Sequence, residues 1–241
     1  MDALIYTAMS GAERALRAQQ VHANNLANMQ TNGFRADLEL ATSQTVKGYG
    51  YDARHMSELQ ANALNTRSGT LIQTGRELDA AISGEGFFAV AYGQGEAYTR
   101  GGSFALDETG ALTLNGRPVL GDGGPIVLPP TSRVVIGADG TISAQADGQT
   151  LMQPVDRLKL VKPTGNELTK NEAGLIVSRG GNPLPVNETV KVRGGHVESS
   201  NVSSVEEMVA TMSISRDFEF QMKLFKAADD MAANGNRLLR E

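Results

Sequence analysis

Apolar residues recur with a helical period at both ends of the chain, and in short strand-like runs between them. In the first segment Ile5, Met9, Ala12, Leu16, Gln19, Ala23 and Leu26 follow alternating steps of four and three, a seven-residue repeat with one polar position. With Asp2 as N-cap and Asn32-Gly33 as a left-handed C-cap, the pattern predicts a helix over residues 3–31. Such a helix is roughly 40 Å long at a rise of ~1.5 Å per residue. Two alanines and a glutamine make its stripe thin, so it needs a partner.

The last segment opens with overlapping capping boxes, Glu206 three residues after Ser203 and Glu207 three after Ser204. Both acids fall at the positive end of the helix dipole. Val205, Met208, Val209 and Met212 form one apolar stretch, and Phe218, Met222 and Phe225 a second, with Ala228, Met231, Leu238 and Leu239 extending it weakly. Residues 203–241 contain no proline and one glycine, Gly235. The methionines of both helices fit a helix core or an adaptable interface equally well.

Between the helical ends lie all 8 prolines and most of the 27 glycines. Residues 36–70 read as a connector: Asp37 to Val46 suits a helical extension or an extended segment, Gly48-Tyr49-Gly50-Tyr51 breaks any helix, and a long β-hairpin fits the whole. From 71 to 197, strands such as Leu78–Ile82 and Phe87–Tyr92 alternate with turns at Asp107–Gly110, Asn115-Gly116, Gly121–Gly124, Asp139-Gly140, Asp147-Gly148 and Arg179–Asn182. Asn-Gly and Asp-Gly supply the positive φ of tight hairpins, and strands at this spacing without helices predict an antiparallel barrel or sandwich. The fold class is α+β. Residues 1–35 and 198–241 make one discontinuous helical domain, 36–70 the connector, and 71–197 a β-rich domain; the resemblance given below implies that the first is the assembly domain and the last lies outside it. Such a chain brings its termini together or lends both to neighbouring copies, and either route points to assembly.

Composition narrows the function. A net charge of −5 and no basic run beyond two residues argue against a nucleic-acid surface. The absence of cysteine excludes disulfide, thiolate-metal and thiol-nucleophile chemistry. Met1-Asp2-Ala3-Leu4 lacks the basic start of a cleavable signal, and no stretch approaches the ~20 apolar residues of a membrane span. A soluble chain is expected, exported, if at all, without an ordinary signal.

Catalytic patterns find no support. Gly84-Glu85-Gly86-Phe87-Phe88-Ala89 matches a loose dinucleotide fingerprint, but β-prone residues follow where a helix must open, so a turn between strands is expected. His22, His55 and His196 have no metal-ligand spacing; His22 reads as a surface residue beside the seam and His196 as solvated in a loop. Asp79, Glu85, Glu96, Asp107 and Glu108 are candidates for a glycosidase pair only if the fold holds two across a cleft. No catalytic residue, cofactor or metal site is assigned.

Five ordered segments then point to a family. They are Asn24–Asn28 with Thr31-x-Gly33-Phe34; Thr74–Phe88; Tyr98–Phe104; Gly137–Ile142; and Glu198–Val202 before the last helix. Together they resemble the flagellar rod and hook family over nearly the whole chain. The length and the opening Met1–Met9 look most like the family's proximal-rod members; distal-rod members are similar but usually longer. The resemblance implies terminal helices paired as a coiled-coil-like layer, a β domain outside it, and helical stacking into a tube that transmits torque and passes later subunits. It also implies copies of the chain, other rod subunits and the flagellar export apparatus as partners, export without a cleaved signal, and a place in the periplasmic rod, with neither nucleic acid nor membrane insertion. The expected interface comprises the helix seams Ile5, Met9, Ala12, Leu16, Leu26, Val205, Met208, Met212, Phe218, Met222 and Phe225. The signature residues are Asn25, Leu26, Ala27, Asn28, Thr31, Gly33 and Phe34. A distal-rod subunit, a secreted β-rich adhesin or binding module, and an enzyme acting on cell-wall glycan are the alternatives.

Overall fold

The computed structural model describes residues 2–45, 55–146, 148, 151–163, 167–171 and 174–238. Two helices, α1 (Asp2–Ala27) and α2 (Ser204–Leu238), bracket a long run of strands, an α+β arrangement with antiparallel pairing among the strands. The chain divides into two compact units. One holds Met1–Ala27, Asp37–Ala63 and Ser203–Glu241, the other Asn28–Ala36 and Leu64–Val202.

In the helical unit, α1 begins at Asp2 but ends at Ala27, short of the expected stop at residue 31. Polar side chains cause the early stop. Thr31 donates its backbone N–H to the Asn28 carbonyl (3.1 Å) and its hydroxyl to Asn28 Oδ1 (3.2 Å), while the Phe34 N–H reaches the Thr31 carbonyl (3.2 Å). These short-range bonds offer the backbone an alternative to another helical turn. At the other end, Ser203 is the N-cap of α2: its hydroxyl accepts the Glu206 N–H (3.4 Å) and its carbonyl the Glu207 N–H (3.0 Å). Ser204 is the first helical residue. Strands Asp37–Thr45 and His55–Leu64 pair as a two-stranded sheet, so the segment from Asp37 is extended and not helical. The Gly48–Tyr51 break lies outside the described residues, as does Asp147 of the Asp147-Gly148 turn.

The β unit is built around Phe87–Tyr92, which lies between Leu160–Val161 and Gly95–Thr99 in a five-stranded sheet completed by Ile176–Ser178 and Leu168–Lys170. Side chains alternate across a strand. Phe88 and Val90 accordingly join a core with Ile82, Phe104, Leu112 and Ile126, whereas Phe87 and Ala89 join a second with Tyr98, Val161 and Ile176. Burial of both faces explains why this segment reads as an unbroken apolar run. In place of one barrel or sandwich, the described strands form several small sheets of two to five members. Frequent Gly and Pro keep the strands short.

Turn chemistry follows the sequence closely. Asn115-Gly116 joins Leu114 to Arg117 across a two-residue hairpin, with φ of 51° and 76°, and Asn115 is the one described non-glycine residue at positive φ. Gly84 and Gly86 form a turn leading into a strand, not a helix. Asp107 accepts the Thr109 hydroxyl and the N–H groups of Ala111 and Thr109, bonds that hold its carboxyl below the usual range. Asp139 is lowered in the same way, first by the Thr141 hydroxyl.

Candidate assembly surface and signature residues

The seam of α1 against α2 is made of small residues. Buried or half-buried positions at the contact are Ala8, Gly11, Ala15, Ala18, His22 and Asn25, again at steps of three and four. A Cβ on Gly11 would stand 2.9 Å from Gln221 Cδ, which places that face against α2. This line runs one residue N-terminal to the expected one. Met9 and Leu16 are 59% and 47% exposed, whereas Ala18 is 2% exposed; Ile5, Ala12 and Leu26 are half-buried. Small side chains let two helices approach, and the larger ones are left on a different face.

The same holds on α2. Val205, Met208, Val209, Met212, Phe220, Met222 and Met231 are exposed, Phe225 is 39% exposed, and Phe218 is half-buried. A concavity of about 300 Å³ lies among Gly11, Ala15 and Ala18 of α1, Ile214 and Phe220 of α2, and Glu39. Arg14 closes one side with an ion pair to Glu39 at 2.9 Å.

Polar residues close the C-terminal end of the seam. Asn25, 1% exposed, donates to the Asp37 carbonyl (3.0 Å) and to Glu207 Oε1 (3.1 Å), and accepts the Asp37 N–H (2.9 Å). One amide thereby joins α1, the strand at Asp37 and α2. His22 Nδ1 donates to Glu207 Oε2 at 2.5 Å, so it is a seam residue and not the surface histidine expected. Leu26 and Asn28 are half-buried and Ala27 exposed.

The remaining signature residues belong to a knot in the β unit. A Cβ on Gly33 would fall 2.1 Å from the Gly101 nitrogen, and its φ of 71° also favours glycine. Its N–H donates to the Glu198 carbonyl (2.7 Å), the Asn201 N–H to the Phe34 carbonyl (3.3 Å), and the Ala36 N–H to Asn201 Oδ1 (2.8 Å). The Glu198 carboxylate is fully buried between Arg35 (2.7 Å) and Arg100 (2.9 Å), and accepts the Gly69 N–H (2.7 Å). Burial pushes the Arg100 guanidinium down to about 10, Glu198 opposing and Arg35 adding to the shift. Sequence reasoning did not assign this triad. Its members lie far apart in the chain: Arg100 and Glu198 stand inside the segments Tyr98–Phe104 and Glu198–Val202 and Arg35 follows Phe34, but no spacing pairs them.

Four of the five carboxylates considered for catalysis, Asp79, Glu85, Glu96 and Asp107, have structural partners. Asp79 accepts the hydroxyls of Thr74 (2.7 Å) and Ser103 (3.1 Å), Glu96 meets Lys159 (2.5 Å), and Glu85 pairs with Lys162 (3.1 Å). Tyr98 donates to Glu96 (3.1 Å), and burial pushes its phenol up to about 12. His196 opens a strand and bonds the Gly194 carbonyl (2.8 Å), instead of standing in a solvated loop. Among the described residues no cluster of three His, Asp or Glu side chains suits a metal, and no helix is long and apolar enough to cross a membrane.

Comparison with known proteins agrees with this distribution. Residues 5–35 match the family described as Flagella basal body rod protein, 81–144 the Flagellar hook protein FlgE/F/G D1 domain, and 193–238 the Flagellar basal body rod FlgEFG protein C-terminal family. The chain is 40% identical to the flagellar basal-body rod protein FlgF of Escherichia coli and 39% to that of Salmonella typhimurium, each over 99% of both chains. It is 34% identical to FlgG of Buchnera aphidicola over 91% of this chain and 95% of that one. The chain therefore belongs to the flagellar basal-body rod family and is a structural subunit, not an enzyme.

Proposed function

We propose that this subunit builds the proximal rod, polymerising helically with copies of itself and with related rod subunits around a bore that passes later-exported chains. The observation that carries this reading is the placement of apolar side chains in the helical unit. The seam between α1 and α2 is alanine-rich, while Met9, Leu16, Val205, Met208, Met212, Met222 and Phe225 are exposed. Such apolar faces mark interaction surfaces, and two adjacent seams on one helix suit a multi-helix layer of coiled-coil type. Residues 1–35 and 198–241 then act as one assembly domain, and the β-rich part, residues 71–197, sets outer contacts. End-to-end alignment with FlgF relatives supports the proximal position over the distal one.

The same placement suggests that order in the helices comes with assembly. An alanine seam removes little apolar area at ~25 cal/mol per Å², against a backbone ordering cost of ~1–2 kcal/mol per residue. Neighbouring subunits add the missing burial, which prevents early polymerisation and suits export of an extended chain to the periplasm without a cleaved signal. Leu16→Asp and Phe225→Asp test the reading. Both are expected to abolish motility and rod assembly while leaving the β unit's unfolding transition unchanged. Normal motility in either variant, or loss of that transition, counts against it. Hydrogen exchange on the monomer supplies a second test, and strong protection over residues 5–28 and 205–238 would rule out order gained on assembly.

A further inference from the structure

We propose that the concavity between α1 and α2 is an arginine socket, filled in the rod by Arg216 of a second copy of this chain. The proposal rests on the assembly reading above and names the contact by which one copy would hold the next. Every lining residue belongs to the helical unit. Gly11, Ala15 and Ala18 of α1 and Ile214 of α2 give it small or apolar walls, and Phe220, 59% exposed, borders it. At about 300 Å³ the space admits a long side chain, since a single water needs only ~10–15 Å³.

The charges around this space leave one acid over. Arg14 and Glu39 satisfy each other at 2.9 Å. Asp217, the other charged lining residue, is exposed, and among the described residues its carboxylate has no ion-pair or hydrogen-bond partner. An apolar side chain docking here would strip water from that carboxylate and leave it unpaired, which is costly. A cation removes the cost. Arginine suits the place best: its stem lies along small apolar walls, and its planar guanidinium bonds a carboxylate with two N–H groups while stacking on an aromatic ring.

The same chain carries the matching half. Val205, Met208, Val209 and Met212 are exposed at helical spacing on α2, and Arg216 stands one turn beyond Met212 in the same line. Arg216 is exposed and has no ion-pair partner among the described residues. A neighbour that buries this stripe therefore receives Arg216 with it. Asp217 is turned about 100° further round the helix, in line with Ile214 and Gln221, which also line the concavity. Stripe and socket thus occupy different faces of α2. A contact between unlike faces is heterologous, and such contacts generate rings or open helical filaments in place of closed pairs.

Charge reversal tests the proposal. Arg216→Asp and Asp217→Arg are each expected to lower rod yield roughly tenfold or more, with the β unit's unfolding transition in the monomer unchanged. The double variant Arg216→Asp/Asp217→Arg restores opposite charges across every contact and is expected to recover rods. Adjacent residues do not face each other on a helix, so that recovery comes from between copies. The chain has no cysteine, which lets a short bismaleimide identify the partner. Rods from cells making Arg216→Cys and Asp217→Cys chains together should give a cross-linked pair of the two variants, and rods from either variant alone should give none. No recovery in the double variant, no cross-link between the two variants, or a cross-link from either alone overturns the proposal. If Arg216→Asp and Asp217→Arg build normal rods while Leu16→Asp builds none, the socket falls and the assembly reading stands. Normal rods from all three overturn the two together.

Discussion

The β unit and the helical unit use apolar side chains in opposite ways. In the β unit Phe88, Phe104, Leu112 and Ile126 fill the inside, and apolar residues such as Ile72, Val127 and Leu151 are exposed in addition to that core. In the helical unit alanines take the inside, while methionine, leucine, valine and phenylalanine remain accessible. One arrangement stabilises a monomer. The other leaves apolar area accessible, and on the proposed assembly its stability would depend on subunit concentration. Substitutions in the two units should therefore have separable consequences, which experiment can sharpen or break.

The largest stability effect is expected at Glu198. Glu198→Gln leaves Arg35 and Arg100 buried with no negative charge between them, and breaking a buried pair in this way costs about 3–5 kcal/mol. Denaturant unfolding of the β unit reads this loss directly. A change under about 1 kcal/mol would mean that water relieves the triad, since the loss of a typical neutral hydrogen bond is of that size.

Tyr98 comes next, and its effect depends on pH. The folded phenol ionises at about 12, above its ordinary value of 10.0, so between those values the folded state holds a proton that the unfolded state releases. Its stabilising contribution is complete below pH 10 and is lost as pH rises through about 12. Arg100 runs the other way: its folded value of about 10 lies below the ordinary arginine value, so stability rises with pH above that point. Comparing wild type with Tyr98→Phe by denaturant unfolding separates the two. The difference between them should shrink as pH rises from 10 to 12; a constant difference would assign the effect elsewhere.

In the helical unit, Ala18→Leu is expected to overfill the seam by about 1–3 kcal/mol. Rod yield should fall, with the β unit's unfolding transition in the monomer unchanged. Gly11→Ala should do least. Alanine gains about 1 kcal/mol of helix propensity, and the group its Cβ would meet is the flexible end of Gln221. A near-neutral change in rod assembly is expected, and a severe loss would show that Gln221 is fixed in place.

Much of this was legible from residue order. The Asn115-Gly116 hairpin, the Ser203 cap and the strand after Gly86 follow from local chemistry, because a positive φ, a free N–H or a short aromatic and apolar run is a property of a few adjacent residues. The α1 stop at Ala27 was missed because Asn28 and Thr31 bond each other and outcompete a cap placed at Gly33. The Arg35–Glu198–Arg100 triad was missed because long-range ion pairs have no period to detect.

The terminal helices show where that boundary lies. Residue order determined that both ends are helical and that α1 carries a seven-residue apolar repeat. It could not determine which stripe meets α2, since Ala8-Gly11-Ala15-Ala18 and Met9-Ala12-Leu16 share the same spacing, one residue apart. Tertiary structure decided it. Alanine and glycine let two helices come close where methionine and leucine would hold them apart, and the Asn25–Glu207 and His22–Glu207 bonds fix the rotation. The bulkier stripe is left exposed, available to whatever the rod places beside it.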